Sequence, residues 1–501
     1  MINYRKDLRN KEYSEIVDTI YDDFKIDDDF FRFSEDDLLD YETMENINRA
    51  YNIVSKAVED NKLIMIHADC DTDGVTAGTI MHKYLNNYTH NVRIMINDGK
   101  AHGLEPVEAV DCDLLIVVDS INDEKIYNRF DVPIVVLDHH IHGRVPDHVT
   151  LVSAMDSENP NLSGAGVVWK FCKYYDLMQF ENYADDLVDL AATGIVADMM
   201  DMSIKENRYI CNQGFNNLKN PALKKIVGGY EFNAKSVAFS IAPLINACNR
   251  LNKNQLALDL LNEDDPKKIK TILTDIKDIK AEQDSVLDSV DESKIKIYDK
   301  FIVLFSDVTN LSGVIANKLS AKFKKPALVV HDDGNGMITG SQRGYGVKDF
   351  SKLLEMTGLC ECKGHENSSG IFVQTEKFDD FIDELYEIMD SVEIEEVSDA
   401  DYLISTDQIY SLINFSKMMN RISGTGFRGI TFVVETDQYE YKTMTDGKHM
   451  KLEVAEGVNL IKWKETPDIS GKIRCCGTLD SSFFGRQKNY NLIIDKIEVI
   501  E

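Results

Sequence analysis

KLIMIHADCDTDGVTAGTIM, residues 62–81, decides how this chain is read. An apolar run, Leu63 to Ile66, breaks into His67, Asp69, Asp71 and Asp73 on alternate positions, then Gly74 and a small-residue helix start. Carboxylates crowded this closely in an apolar setting repel one another and protonate unless a cation sits among them, so the turn reads as half of a divalent-metal site. The stretch alone leaves a solvated acidic loop as the alternative.

The segments downstream decide between the two. Leu63–Ile66, Val92–Ile96, Leu114–Val118 and Ile134–Leu137 are apolar, β-branched and separated mostly by helix-like stretches. That pattern predicts a parallel sheet covered on both faces, and such sheets gather function beyond the carboxyl ends of their strands. The first strand ends at His67 and Asp69, the third (LLIVVDS) at Asp119, and the fourth (PIVVLDHH) at Asp138, His139 and His140. Three strands thus deliver metal-type ligands to one edge. A further carboxylate, Asp198, closes DLAATGIVADMM; read alone it is an ordinary helix end.

At 501 residues the chain divides into about three domains. No apolar run approaches the roughly 20 residues that cross a bilayer, and MINYRKDLRN lacks the apolar centre of a signal peptide. The expectation is a soluble cytoplasmic protein with no membrane partner. Nine cysteines without a regular framework read as reduced thiols. Cys360 and Cys362 lie near His365, but the spacing suits no zinc finger and a fourth ligand is missing. A net charge of −31 excludes coating of nucleic acid by bulk electrostatics and leaves only a local basic groove. The acid is uneven: residues 1–45 carry 15 Asp/Glu against 6 Lys/Arg, whereas 421–501 carry 12 of each, so a polyanion is expected toward the C-terminus.

The segments predicted are an acidic helical stretch (1–45), an α/β domain (46–250), a long connecting helix (251–296), a second α/β domain (297–397) and a small antiparallel barrel (398–501). The second α/β domain opens on the strand FIVLF from Phe301 and carries GSQR and CKGHENSSG. Gly340, Ser341 and Arg343 supply a close backbone approach, a hydroxyl and a guanidinium fork, suited to a phosphate. The barrel is expected to expose Lys448, Lys451, Lys462, Trp463, Lys464, Arg474, Phe483, Phe484, Arg486 and Lys488, which suits capture of single strands by stacking and charge.

HADCDTDG, VVDS, LDHH and GIVADMM, in that order and at these intervals, resemble the motifs of the DHH phosphoesterase superfamily. NRYICNQGFNNLKNPALKKI and IAPLINACNRLN resemble its RecJ-like, single-strand-specific exonuclease branch, and residues 398–501 resemble the oligonucleotide-binding (OB) barrel that follows there. The resemblance spans about residues 45–501. It implies a two-ion centre: His67 and Asp71 on one ion, Asp73, His139 and Asp198 on the other, and Asp119, ending a central strand, as the bridge. Asp69 and Asp138 are expected to orient ligands, with the choice between Asp69 and Asp71 as direct ligand left open, and His140 to meet the scissile phosphate. Oxygen and imidazole donors without thiolate favour Mn2+ or Mg2+ over zinc. Arg250, Ser341, Arg343, Gly364 and His365 are the implied substrate contacts, although Lys363 replaces the first glycine of the family's Gly-Gly-His motif.

The activity implied is hydrolysis of single-stranded DNA, 5′ to 3′, to 5′-mononucleotides in DNA repair or recombination, with a single-strand-binding protein or helicase as partner. Two readings compete with it. One is a phosphodiesterase for short oligonucleotides or cyclic dinucleotides, which would have no use for a C-terminal platform. The other is a catalytically weak replication or repair scaffold, against which the ligand set stands complete.

Overall fold

The computed structural model describes residues 2–99, 101–395, 398–444, 447–484 and 487–500. Contacts divide the chain into two compact units, Met1–Asp278 with Ser398–Glu501, and Ile279–Val397.

The first unit holds the parallel sheet that the sequence predicts. Its five strands run in the order Val92–Ile96, Ile64–Ala68, Leu114–Val118, Ile134–Asp138, Val149–Ser153, all parallel. The last of these, VTLVS, is an addition to the four expected. Ile64, Ile66, Ile116, Val118, Val135 and Leu137 are fully or almost fully buried, each contributing about 1.5–3 kcal/mol relative to exposure. From Ile64–Ala68 the chain crosses to one neighbour, Val92–Ile96, and then returns to the other, Leu114–Val118. The strand order therefore reverses between Ile64–Ala68 and Leu114–Val118, and a crevice opens at their carboxyl ends.

The C-terminal residues form a mixed eight-stranded sheet, ordered Tyr4–Asp7, Ala400–Ile404, Phe432–Thr436, Lys472–Phe484, Gln487–Ile500, Val458–Lys462, His449–Ala455, Glu440–Met444. Phe432–Thr436 and Glu440–Met444 pair at opposite sides of this series yet are consecutive in the chain, and Val458–Lys462 runs parallel to Gln487–Ile500. With parallel pairs at Tyr4–Asp7, Ala400–Ile404 and Val458–Lys462, the sheet is mixed where a purely antiparallel one was expected. It is larger than the expected barrel, because a parallel strand, Ala400–Ile404, and the helix Gln408–Arg421 are added to it.

The acidic N-terminal stretch is helical only in part. Its first element is the strand Tyr4–Asp7, which pairs in parallel with Ala400–Ile404. The helix Tyr13–Phe24 follows, then short 3-10 turns pinned by Lys205 to Asp29 and Asp37 and by the Arg208 guanidinium over the Phe30 ring. Ile16, Ile64, Val75, Tyr402, Phe415 and Leu452 belong to one apolar cluster, so both chain ends share the core beneath the parallel sheet.

The second unit carries a six-stranded sheet ordered Cys360–His365, Ser368–Gln374, Met337–Arg343, Ala327–Asp332, Ile302–Phe305, Ile295–Ile297. The connecting helix is two helices, Asn254–Asn262 and Pro266–Asp288. Pro266 explains the break: without an N–H it fits the first turn of a new helix and cannot continue an old one.

Candidate metal centre

Each acidic side chain of the opening motif is fixed by a local device. Asp71 caps the helix Thr72–Leu85 and accepts a bond from Gly74 N at 3.1 Å. Asp73 lies in the first turn of the same helix, and its carboxylate accepts from Gly164 N at 2.7 Å and Ala165 N at 3.1 Å, the first amides of the helix Gly164–Gln179. Helix N-termini carry partial positive charge, which offsets part of the crowding. Two glycines make room: a Cβ on Gly164 would sit 2.3 Å from Asp119 Oδ1, and one on Gly194 would sit 2.1 Å from Asp73 Oδ1.

Asp119 follows Leu114–Val118 with φ at +59°, a left-handed conformation that costs a residue with a Cβ about 1–3 kcal/mol. His139 follows Ile134–Asp138. Its Nε2 lies 3.3 Å from Asp119 Oδ1, 3.5 Å from Asp198 Oδ2 and 4.0 Å from Asp73 Oδ2. Among the described residues four donor groups could hold an ion, with the donor atoms of each within 4.8 Å of one another: Asp73, His139 and Asp198; Asp69, Asp71 and Asp119; Asp119, His139 and His140; and Asp69, Cys70 and His102. The first is the trio expected on one ion. In the second, Asp69 joins Asp71 and Asp119 where the sequence placed His67.

His67 is fully buried, and its Nε2 lies 3.2 Å from Asn97 Oδ1 while Nδ1 has no partner. A ring fixed through one nitrogen with the other bare is how metal-binding histidines are oriented. Burial lowers its pKa, which keeps it neutral. Asp69 Oδ1, Asp119 Oδ1 and Asp198 Oδ2 are likewise buried without hydrogen-bond partners. Burial, and then the charges of Asp69 and Asp73, push Asp71 up to about 6. Burial, then Asp73 and Asp71, push Asp198 up to about 8. Asp119 rises well above the carboxylate range for the same reasons. These unsatisfied acids, with the neutral imidazole of His67, fit a hard divalent cation, and the donor set is one that Mn2+ or Mg2+ accepts.

Asp138, expected to orient ligands, is instead paired with His140. It is fully buried and accepts from His140 N at 3.1 Å, and its Oδ1 lies 2.9 Å from His140 Nδ1. Burial opposes that pair, yet the bond to Asp138 prevails and raises His140 to about 9. The His140 side chain is half exposed.

Arg250 ends the helix Ala242–Arg250, which is tied to the opening motif by Thr72 N and Oγ1 to Asn246 Oδ1 at 3.1 and 2.8 Å. Asn249 Nδ2 donates to the Cys70 carbonyl at 3.1 Å. Sequence reasoning passed over Asn97, His102, Gly164 and Gly194. Asn97 could have been found, since it directly follows the second strand, and the strand-end rule applies there as well.

The remaining expected contacts lie in the second unit. Ser341 and Arg343 alternate on Met337–Arg343, beside the N-terminus of the helix Ser312–Phe323. Ser341 Oγ is 2.9 Å from Ser312 Oγ, and a Cβ on Gly313 would lie 2.8 Å from Arg343 Nη2. A hydroxyl, a guanidinium and helix amides together have an anion-binding composition. Register places Arg343 and His365 on either side of Ser368. His365 is exposed, and Gly364 has φ at +131°, a value that side chains rarely adopt.

Part of the expected nucleic-acid kit is otherwise engaged. Arg474 is mostly buried and bonded to Glu435 and Glu498, and Lys462 donates to the Asp495 carbonyl at 2.6 Å. Trp463 remains half exposed against His449. The Phe483 and Phe484 side chains and Arg486 lie outside the described residues. Among the described residues no helix is long and apolar enough to cross a membrane.

Residues 61–195 match the DHH family, N-terminal domain. Over 397 residues, 69% of each chain, the sequence is 30% identical to YorK of Bacillus subtilis strain 168, named only provisionally as an SPbeta prophage-derived single-strand DNA-specific exonuclease. It is 26% identical over 407 residues to the single-stranded-DNA-specific exonuclease RecJ of the same organism, covering 73% of this chain and half of that protein. The fold is similar to that of RecJ from Thermus thermophilus, solved in complex with Mn2+, at a TM-score of 0.72 and 21% identity, covering 91% of this chain and 72% of that one. The chain belongs to the DHH family, in its RecJ-like exonuclease group.

Proposed function

We propose that this chain is a metal-dependent exonuclease that degrades single-stranded DNA from the 5′ end to 5′-mononucleotides. The observation that carries the reading is the convergence, at the point where the strand order reverses, of Asp69, Asp71 and Asp119 with Asp73, His139 and Asp198. His67, Asp71 and Asp119 would hold one ion, and Asp73, His139, Asp198 and Asp119 the other. Bound there, a pair of divalent ions lowers the pKa of a coordinated water and neutralises charge developing on the phosphate.

The protein's own groups do the rest. The buried Asp138 holds His140 by Nδ1, so the opposite ring nitrogen can donate to a phosphate oxygen. Partly buried at the end of its helix, Arg250 adds a fixed positive charge on the same unit. In the second unit Ser341, Arg343 and the amides of Ser312–Phe323 are suited to a second phosphate, with His365 on the neighbouring row. The half-exposed Trp463 offers a ring on which a base of a longer strand can stack.

The test is a single strand labelled at its 5′ end, incubated with Mn2+, with Mg2+ and with chelator. Labelled mononucleotide as the earliest product, stopped by chelator, is the expected result. Label retained on a progressively shortened strand would reverse the polarity, and no mononucleotide under any metal would refute the reading.

A further inference from the structure

One cluster of donors beside the proposed centre shares only Asp69 with that reading. Asp69 Oδ2 lies 2.8 Å from His102 Nδ1, and Cys70 Sγ lies 3.9 Å from each of those two atoms. A tetrahedral zinc ion with one sulfur, one nitrogen and one oxygen ligand needs separations of about 3.4–3.6 Å, from metal–ligand lengths near 2.0–2.3 Å. The two separations from sulfur stand within a few tenths of an ångström of that geometry, and the third, the 2.8 Å hydrogen bond that an ion would replace, has to open by roughly half an ångström.

Three further observations point to a ligand. Asp69 is almost fully buried, and its second oxygen has no hydrogen-bond partner. Asn249 Nδ2 donates to Cys70 Sγ at 3.1 Å, as outer amides do around a metal-bound thiolate. The His102 side chain is two-thirds exposed, which gives an otherwise buried thiol a way in from solvent. A thiolate with an imidazole selects Zn2+ over Mn2+ or Mg2+, so this donor set differs in kind from the oxygen-rich centre next to it.

We propose that Asp69, Cys70 and His102 form an auxiliary site for Zn2+ or another thiophilic ion, which restrains hydrolysis through the carboxylate it shares with the neighbouring centre. Asp69 belongs to both donor groups, so an ion on His102 and Cys70 draws it away from Asp71 and Asp119. Binding releases two protons to solvent, one from the thiol and one from the His102 imidazolium that faces Asp69, so that sulfur binds as thiolate and the ring as neutral imidazole.

Co2+ titration of the full chain reads the site directly, because only a thiolate ligand gives a sulfur-to-cobalt charge-transfer band. The band is expected in the parent chain and in a Cys360→Ser/Cys362→Ser variant, and is lost in Cys70→Ser. His102→Ala, which removes an exposed ring and leaves the core intact, is expected to weaken cobalt binding by roughly tenfold or more. No band in the parent, or a band kept in Cys70→Ser, overturns the site. The activity arm rests on the nuclease reading: with Mn2+ saturating, half-maximal inhibition by Zn2+ should need at least about tenfold more ion in His102→Ala than in the parent. Equal sensitivity of the two refutes the restraint. Absence of any nuclease activity bears on the proposed function and leaves the cobalt result standing.

Discussion

The reversal point of the parallel sheet and the Met337–Arg343 strand of the second unit are both expected to meet phosphate, yet they are built on opposite principles. At the first, carboxylates are buried together, raise one another's pKa and leave oxygen atoms without hydrogen bonds. At the second, Ser341 and Arg343 are already engaged, by Ser312 and by the Gln342 carbonyl. A site that must attract a cation stores electrostatic frustration; a site that must grip an anion stores oriented donors. Variants of the first should therefore change chemistry, and variants of the second should change affinity.

Asp119→Asn gives the largest expected effect. It removes the charge common to two of the donor groups, and a loss of several kcal/mol of transition-state stabilisation corresponds to roughly 10³-fold or more in kcat. Metal-free thermal stability should not fall, since a crowded carboxylate is neutralised. Asp138→Asn is next, at about 10–100-fold in kcat, because His140 loses the partner that aims it. Arg343→Lys should raise KM about tenfold with a smaller change in kcat, as a fork donor is replaced by a point charge. A fall in kcat alone would erase the contrast between the two regions. Trp463→Ala should weaken binding of a long single strand roughly fivefold, about 1 kcal/mol of stacking, and leave a dinucleotide unaffected.

The subtlest prediction concerns pH. Asp198, at about 8 in the fold, and His140, at about 9, both bind protons more tightly folded than unfolded. Between pH 6.5 and 8.5 the native state therefore holds more protons than the unfolded chain, and stability falls as pH rises. Melting of the metal-free protein should show that decline, and Mn2+ should stabilise it more at pH 8 than at pH 6.5, because the cation replaces the missing protons. A melting temperature rising over this window would contradict the crowding of carboxylates at the reversal point.

Chemistry that requires a residue type at a strand end was legible in the sequence. His67, Asp119 and His139 could be named because each closes an apolar strand, whereas Asp198 closes a helix and was named only through the family resemblance. His102 lies in the irregular stretch after Val92–Ile96, where no periodicity marks it, whereas Asn97 directly follows that strand and was open to the same rule. Gly164 and Gly194 matter for what they lack, which becomes apparent only once Asp119 and Asp73 are packed against them. The strand Tyr4–Asp7 is polar and pairs with residues near 400, so neither alternation nor local spacing reveals it. Arg474 shows the converse: a cation counted for nucleic acid is held by Glu435 from an adjacent strand.

Everything proposed for the reversal point requires its two donor groups to act as one binuclear centre. Calorimetric titration of the metal-free chain with Mn2+ at pH 8 tests this most directly. Two ions per chain, with at least one lost in Asp119→Asn, is the predicted result; binding unchanged by that substitution, or none in the parent, would contradict it.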